Sequence, residues 1–243
     1  MEDDDDIPQL PADTLQLLQD FQSEKDARTK QFEDLKTAAE DDFQAGKGKL
    51  SMDLFGEDWN ASQFWYTDST AEALARQLLE GATEQSAIAV VSAPSVYVAL
   101  RNILAEDTSL PRPRLCLLEY DYRFQVVGTD FVFYDYMKPI RFFSSNLKGQ
   151  FDRIICDPPF LSEDCQTKAA LTVRYLARHW APCSEDGLRF ISCTGERMES
   201  TVLRLYGKIG VKTTDFEPEH SKGLSNEFRC YANFKGDAWK WRQ

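Results

Sequence analysis

Asp157-Pro158-Pro159-Phe160 follows directly on the apolar run 151–156. Two consecutive prolines remove two N–H donors and fix two φ angles. The Asp157 carboxylate and the neighbouring carbonyls would then form a rigid rim of acceptors with no competing donors. Such a rim suits an incoming amine, which brings N–H groups to donate, and Phe160 sets an apolar ring beside it. The plainer alternative is a Pro-Pro turn leaving a strand. Two further acids, Glu119 and Asp135, end the apolar runs 115–118 and 131–134. Acids also end strands in ordinary turns, so each alone says little. Three at one edge of one sheet would point to a polar, cationic or hydroxyl-rich ligand.

The elements that must position these residues show in the apolar pattern. Runs 87–91, 115–118, 131–134, 151–156 and 188–193 are short and continuous, as buried strands are. Helical patterns alternate with them. Ser69-Thr70-Ala71-Glu72 is a capping box, followed by Ala71, Leu74, Ala75, Leu78 and Leu79 on one face and closed by Gly81. Val96, Ala99, Leu100, Ile103 and Leu104 form a second face; Cys165, Ala169, Val173, Leu176 and Trp180 a third, capped by Ser162. Met198, Val202, Leu205 and Ile209 form a fourth, and 211–216 with 227–234 would close the domain as a strand pair. This alternation predicts an α/β fold with a parallel sheet covered on both faces. Ligands of such sheets sit beyond the carboxyl ends of the strands, where the strand order reverses.

The charge is unevenly placed. Of the formal net charge of −12, residues 1–60 carry −11, from 17 acidic and 6 basic side chains, and residues 61–243 carry −1. A nearly neutral body with an acidic arm lacks the basic footprint of a protein that grips nucleic acid by its phosphates. It also opposes docking on anionic membrane, and no run approaches the about 18 apolar residues of a transmembrane helix. The acidic start Met1-Glu2-Asp3-Asp4-Asp5-Asp6 is unlike a signal peptide, and six Cys without a CxxC pair read as reduced thiols. Both features predict a cytoplasmic protein. The expected organisation is an acidic extension, 1–57, partly helical or disordered, and a compact domain, 58–243. Phe32, Leu35, Ala39 and Phe43, spaced 3, 4 and 4, would make the extension either a solvated helical arm or a partner-docking helix. Gly46-Lys47-Gly48-Lys49 reads as a hinge rather than a phosphate loop. His179, expected within a helix, and His220, in a loop, lack metal-ligand spacing, so no metal is expected.

With these residues in place the chain resembles a class I S-adenosylmethionine-dependent methyltransferase, in which [DN]PP[FYW] after the fourth strand holds the amine being methylated. The resemblance implies a Rossmann-like doubly wound sheet. It assigns Glu119 to the ribose hydroxyls of S-adenosyl-L-methionine, Asp135 to the neighbourhood of its adenine, and Ser92-Ala93-Pro94-Ser95 to the first cofactor loop. That loop departs from the family's usual glycines. Ser92 and Ala93 still allow close backbone approach, whereas Pro94 contributes no N–H. Ser62-Gln63-Phe64-Trp65-Tyr66, 91–97, 131–136 and Asn226-Glu227-Phe228-Arg229-Cys230-Tyr231 narrow the match to the eukaryotic elongation factor 1-alpha lysine methyltransferases, once labelled N6-adenine DNA methyltransferases. The similarity runs from about residue 60 to 235.

The resemblance implies methyl transfer to a lysine of elongation factor 1-alpha, with Asp157, Pro158, Pro159 and Phe160 at the reacting amine and Asp157 also near the cofactor. Phe64, Trp65, Tyr66, Phe160, Asn226 and Phe228 would line the substrate side; core packing accounts for the aromatic triplet equally well. With a lysine pKa of about 10.4, only about one amine in a thousand is neutral near pH 7.4. Asp157 is therefore expected to orient the amine by hydrogen bonding rather than act as a strong base. One rival is an N6-adenine methyltransferase, whose rim would hold an exocyclic amine while Phe160 stacks on the base. Another is a non-catalytic partner protein that keeps the fold.

Overall fold

A computed structural model describes residues 50–57, 63–141, 143–184, 187–223 and 227–242, together with Gln16 and Ser23 as single helical, exposed residues. The thin stripe at Phe32, Leu35, Ala39 and Phe43, the hinge at 46–49 and Asn226 lie outside the described residues. The chain divides into two compact units, Met1–Gly48 and Lys49–Gln243. The second therefore takes in residues that the charge pattern assigns to the extension. Leu50 exchanges two hydrogen bonds with the Asn102 side chain (3.0 and 2.8 Å), and Phe55 stacks on Phe124 at 4.2 Å.

This unit runs α1 (Asp68–Leu79), β1 (Ala87–Val91), α2 (Pro94–Glu106), β2 (Arg114–Glu119), β3 (Phe131–Phe133), β4 (Arg153–Cys156), α3 (Glu163–Leu176), β5 (Arg189–Gly195), α4 (Glu199–Tyr206), β6 (Lys212–Thr213) and β7 (Phe228–Ala232). The seven strands form one sheet in the order β3-β2-β1-β4-β5-β7-β6. β1 to β5 pair in parallel, and β7 pairs antiparallel with both β5 and β6. The parallel sheet covered on both faces that the alternation predicts is present, in the doubly wound, Rossmann-like order that the resemblance implies. The strand order reverses between β1 and β4, which sets the crevice.

Every residue of β1 is buried, as a strand covered on both faces requires. Ala89, Val91, Leu118, Ile154 and Cys156 share a core with Ala169 and Val173 of α3 and Val202 and Tyr206 of α4. Alternate residues point to the opposite face, where α1 packs on α2.

Two local expectations change. The cap of α1 is Thr67, whose hydroxyl accepts from Thr70 N (3.3 Å), and not Ser69. Glu72 pairs instead with Arg76 one turn on, at 2.6 Å. His179 is outside any helix and exposed, because α3 stops at Leu176. The chain there turns back onto the strand end at Phe151: Phe151 N donates to Leu176 O (3.0 Å) and Arg178 N to Phe151 O (2.7 Å). All six cysteines are free thiols. Among the described residues no helix is long and apolar enough to cross a membrane.

Candidate active site

Strand register places two of the acids. Val91 at the end of β1 pairs with Leu118 on one side and Cys156 on the other. Glu119 and Asp157 are the next residues of their chains, so both emerge one step past the same row. Backbone bonds zip the edge up to that step: Ser92 N to Leu118 O (2.9 Å), Asp157 N to Val91 O (3.0 Å) and Tyr134 N to Glu119 O (2.9 Å). Beyond it opens a cavity of about 600 Å³. Its walls hold Ser92, Ala93, Pro94, Ser95, Glu119 and Asp135 together with Asp157, Pro158, Pro159, Phe160, Phe64, Trp65, Tyr66 and Phe228. Every site residue singled out from the sequence is on this cavity, except Asn226, which lies outside the described residues.

The loop after β1 shows why small residues stand there. Ser92 has φ 54, and no other non-glycine residue described has a positive φ. This left-handed backbone is where glycine is unstrained; a serine holding it stores strain at the site. Pro94 opens α2, where its missing N–H falls among donors that a helix leaves unpaired anyway. The Ser95 hydroxyl accepts from Tyr66 N at 3.2 Å, tying the loop to the segment that carries Tyr66.

Glu119 is only 6 % exposed. Its Oε1 accepts from the next two backbone amides, Tyr120 N (2.8 Å) and Asp121 N (3.1 Å). Burial dominates and pushes the carboxyl up to about 7, opposed by those two amides. No protein donor reaches Oε2 among the described residues. Asp121 itself is turned away: Gln63 Nε2 (2.9 Å) and Arg123 Nε (2.8 Å) donate to its Oδ2. Burial alone would raise Asp121, but the Arg123 and Gln63 donors outweigh it and hold the acid low. Asp135 closes its own turn by accepting from Met137 N (2.9 Å), with Lys138 Nζ at 3.8 Å.

Asp157 is held differently. The Tyr66 hydroxyl donates to its Oδ2 across 91 residues of sequence. Burial pushes Asp157 up to about 7, the Tyr66 bond pulls it back, and the Glu119 charge adds to the rise. Tyr66 is pushed well up by burial and by Asp157, so it stays protonated and a donor. A short ladder between two loops fixes its backbone: Thr67 N to Glu219 O (2.9 Å) and Ser221 N to Trp65 O (2.8 Å) flank the pairing of Tyr66 with His220. The His220 ring lies 5.0 Å from that of Tyr66 and 4.6 Å from that of Phe228. Burial pushes this imidazole down to about 4, with Glu57 opposing, so it is neutral at pH 7. Trp65 is mostly packed inward, its indole N–H donating to Phe55 O and its ring edge-on to Phe124.

Phe160 is 40 % exposed, with its ring 5.4 Å from Tyr136. The rim behind it is pinned: Gln166 Nε2 reaches Phe160 O at 3.4 Å and Thr194 Oγ1 at 3.0 Å. The Leu161 side chain packs where a side chain at Gly195 would begin, 2.8 Å from an added Cβ, so any larger residue there would push Leu161 aside.

Sequence reasoning missed Tyr120, Tyr136, Met137, Arg197 and His220, which also line the cavity. The first three directly follow Glu119 and Asp135, so a rule extending each strand-end acid by two residues would have found them. His220 and Arg197 carry no local signal.

A family model described as probable N6-adenine methyltransferase matches residues 57–236. Protein-lysine N-methyltransferase EFM5 of Saccharomyces cerevisiae is 46 % identical over 237 residues, covering 95 % of this chain and 94 % of its own. EEF1A lysine methyltransferase 1 of Gallus gallus is 42 % identical, covering 96 % of this chain and 97 % of its own. The Homo sapiens protein of that name is 38 % identical, covering 96 % and 94 %.

Proposed function

From the premise that this chain belongs to that methyltransferase family, which spans most of its length, we propose that it methylates a lysine side chain of elongation factor 1-alpha. S-adenosylmethionine is the proposed methyl donor and the cytoplasm the proposed compartment. The observation that carries the reading is the pair of buried carboxylates on one cavity: among the described residues, Glu119 Oε2 and Asp157 Oδ1 meet no protein donor, and the two residues after Asp157 are prolines without an N–H.

The residues present fit the donor. Glu119 Oε2 suits a sugar diol, which brings two O–H groups, and Asp135 with Tyr120, Tyr136 and Met137 offers a polar and aromatic surface for a base. Ser92 to Ser95 let the chain approach closely. When bound, this cofactor supplies an electrophilic methyl group on a cationic sulfonium.

Asp157 Oδ1 accepts an N–H of the target amine and aims its lone pair, while the Pro158 and Pro159 backbone offers no N–H to compete. Phe160, Tyr66 and Phe228 surround the lysine with ring faces and exclude water, which strengthens each remaining polar contact. Positioning of this kind supplies much of the acceleration of an in-line displacement. Asp157 is the stronger acceptor when ionised, so turnover rises as pH climbs through about 7.

The test is to incubate the full chain with methyl-labelled S-adenosylmethionine, purified elongation factor 1-alpha and adenine-containing DNA and RNA. Label on one lysine of the protein, located by mass spectrometry, is expected. The description of the matching family model favours N6-adenine as a second reading, which label in nucleic acid would establish instead. Label in neither would point to a non-catalytic partner protein.

A further inference from the structure

Tyr66 touches both halves of the cavity: its backbone N–H binds Ser95 of the loop after β1, and its hydroxyl binds Asp157 after β4. The ring is buried 5.0 Å from the His220 ring, and its backbone is paired with His220. Among the described residues no other protein donor reaches Asp157. Without the phenol the carboxylate would be free to turn about its χ angles. We propose that Tyr66 is a positioning residue, whose hydroxyl holds Asp157 Oδ2 so that Oδ1 faces the target amine. This rests on the amine-methylation reading and deepens it.

The groups facing Asp157 come from several elements. Glu119 stands at the end of β2, Cys156 precedes Asp157 on β4, and Cys165 lies on α3. Cys193 of β5 lies beside the Tyr66 hydroxyl, and Arg197 lines the same cavity. Of these, Tyr66 is the donor that stabilises the ionised carboxylate, against burial and the Glu119 charge. The thiols are raised by burial and stay protonated. Removing the phenol oxygen therefore makes Asp157 harder to ionise, and the pH at which it becomes a charged, strong acceptor for an amine N–H moves upward.

Tyr66→Phe isolates this role, because the ring contact with His220 and both backbone pairings do not use the hydroxyl. Three readouts are needed on the full chain: a carbon-13 NMR titration of the Asp157 carboxyl without cofactor, the pH profile of kcat, and calorimetric affinity for S-adenosylmethionine. The Asp157 titration and the acid limb of kcat are expected to move together to higher pH. Turnover near neutrality should fall roughly 10- to 100-fold, recovering in part at higher pH, with cofactor affinity unchanged. Replacement of Tyr66 by 3-fluorotyrosine, a stronger donor of almost the same shape, should move the titration the other way. An unmoved titration in both variants overturns the proposal, whatever happens to kcat, because a packing role would leave Asp157 where it was. If the titration moves but the wild-type chain does not methylate elongation factor 1-alpha, the reading of substrate fails and the Tyr66–Asp157 coupling stands.

Discussion

Glu119 and Asp157 leave strands that pair with the same residue, Val91, and burial raises both carboxyls to about 7, yet different parts of the chain hold them. Glu119 is fixed by the two amides that follow it. Asp157 depends on a phenol 91 residues away, itself seated by a ladder to residues 219–221. One wall of the cavity is thus built by sheet register and local backbone, and the other by contacts between distant loops. The first should tolerate change elsewhere in the molecule. The second should be sensitive to any shift of the loops that seat Tyr66.

The largest effect that would sharpen this contrast is on turnover. Asp157→Ala should lower kcat roughly 100-fold or more, since a misplaced reacting group alone can cost that much. Its affinity for S-adenosylmethionine and its fold should be retained; wild-type methylation by this variant would remove Asp157 from the amine side. Glu119→Ala should do the reverse. Losing bonds to a charged group weakens cofactor binding by about 1.5–3 kcal/mol, with kcat at saturating cofactor largely kept. Calorimetry giving wild-type affinity would break the division of the two walls.

A third effect is on stability against pH. Both carboxyls are raised in the folded state, to about 7, from unfolded values of about 4. Their contribution to stability is therefore full below about pH 4 and is lost as pH rises through about 7. Without cofactor, the wild-type chain should lose Tm between pH 5.5 and 8. A Glu119→Gln, Asp157→Asn double variant should lose less, by roughly 8–16 °C for a difference of about 4 kcal/mol from the two groups together. Parallel Tm curves for the two proteins would mean that burial does not hold these groups up.

The smallest effect concerns the acidic extension, which is expected to recruit the protein substrate. Deleting residues 1–48, so that Leu50 keeps its pairing with Asn102, should leave cofactor affinity intact. It should raise the KM for elongation factor 1-alpha at low salt and flatten the salt dependence, as loss of charge steering does. Unchanged kinetics at both ionic strengths would make the extension a solvated appendage.

The strands are legible because a short, continuous apolar run fits a strand buried on both faces, and the acids because they stand where those runs stop. Ser162 as the cap of α3 is also readable, since its partner, Cys165 N, is three residues on. The cap of α1 is not, because Thr67 and Ser69 both fit a helix start, and only the backbone decides which hydroxyl reaches an amide. His179 reads as helical because Trp180 continues the apolar spacing of Cys165 to Leu176; pairing of the chain with Phe151 overrides that spacing.

The sequence by itself determined the α/β alternation, the acids at the strand ends and the donor-free Pro-Pro rim, because each follows from neighbours within a few residues. Only the tertiary structure decided that Tyr66 meets Asp157, that Ser95 holds the Tyr66 backbone and that a neutral His220 lies beside the Tyr66 ring. Those contacts join segments far apart in the chain. They depend on where the sheet and its loops bring the backbone, which no spacing rule along one segment encodes.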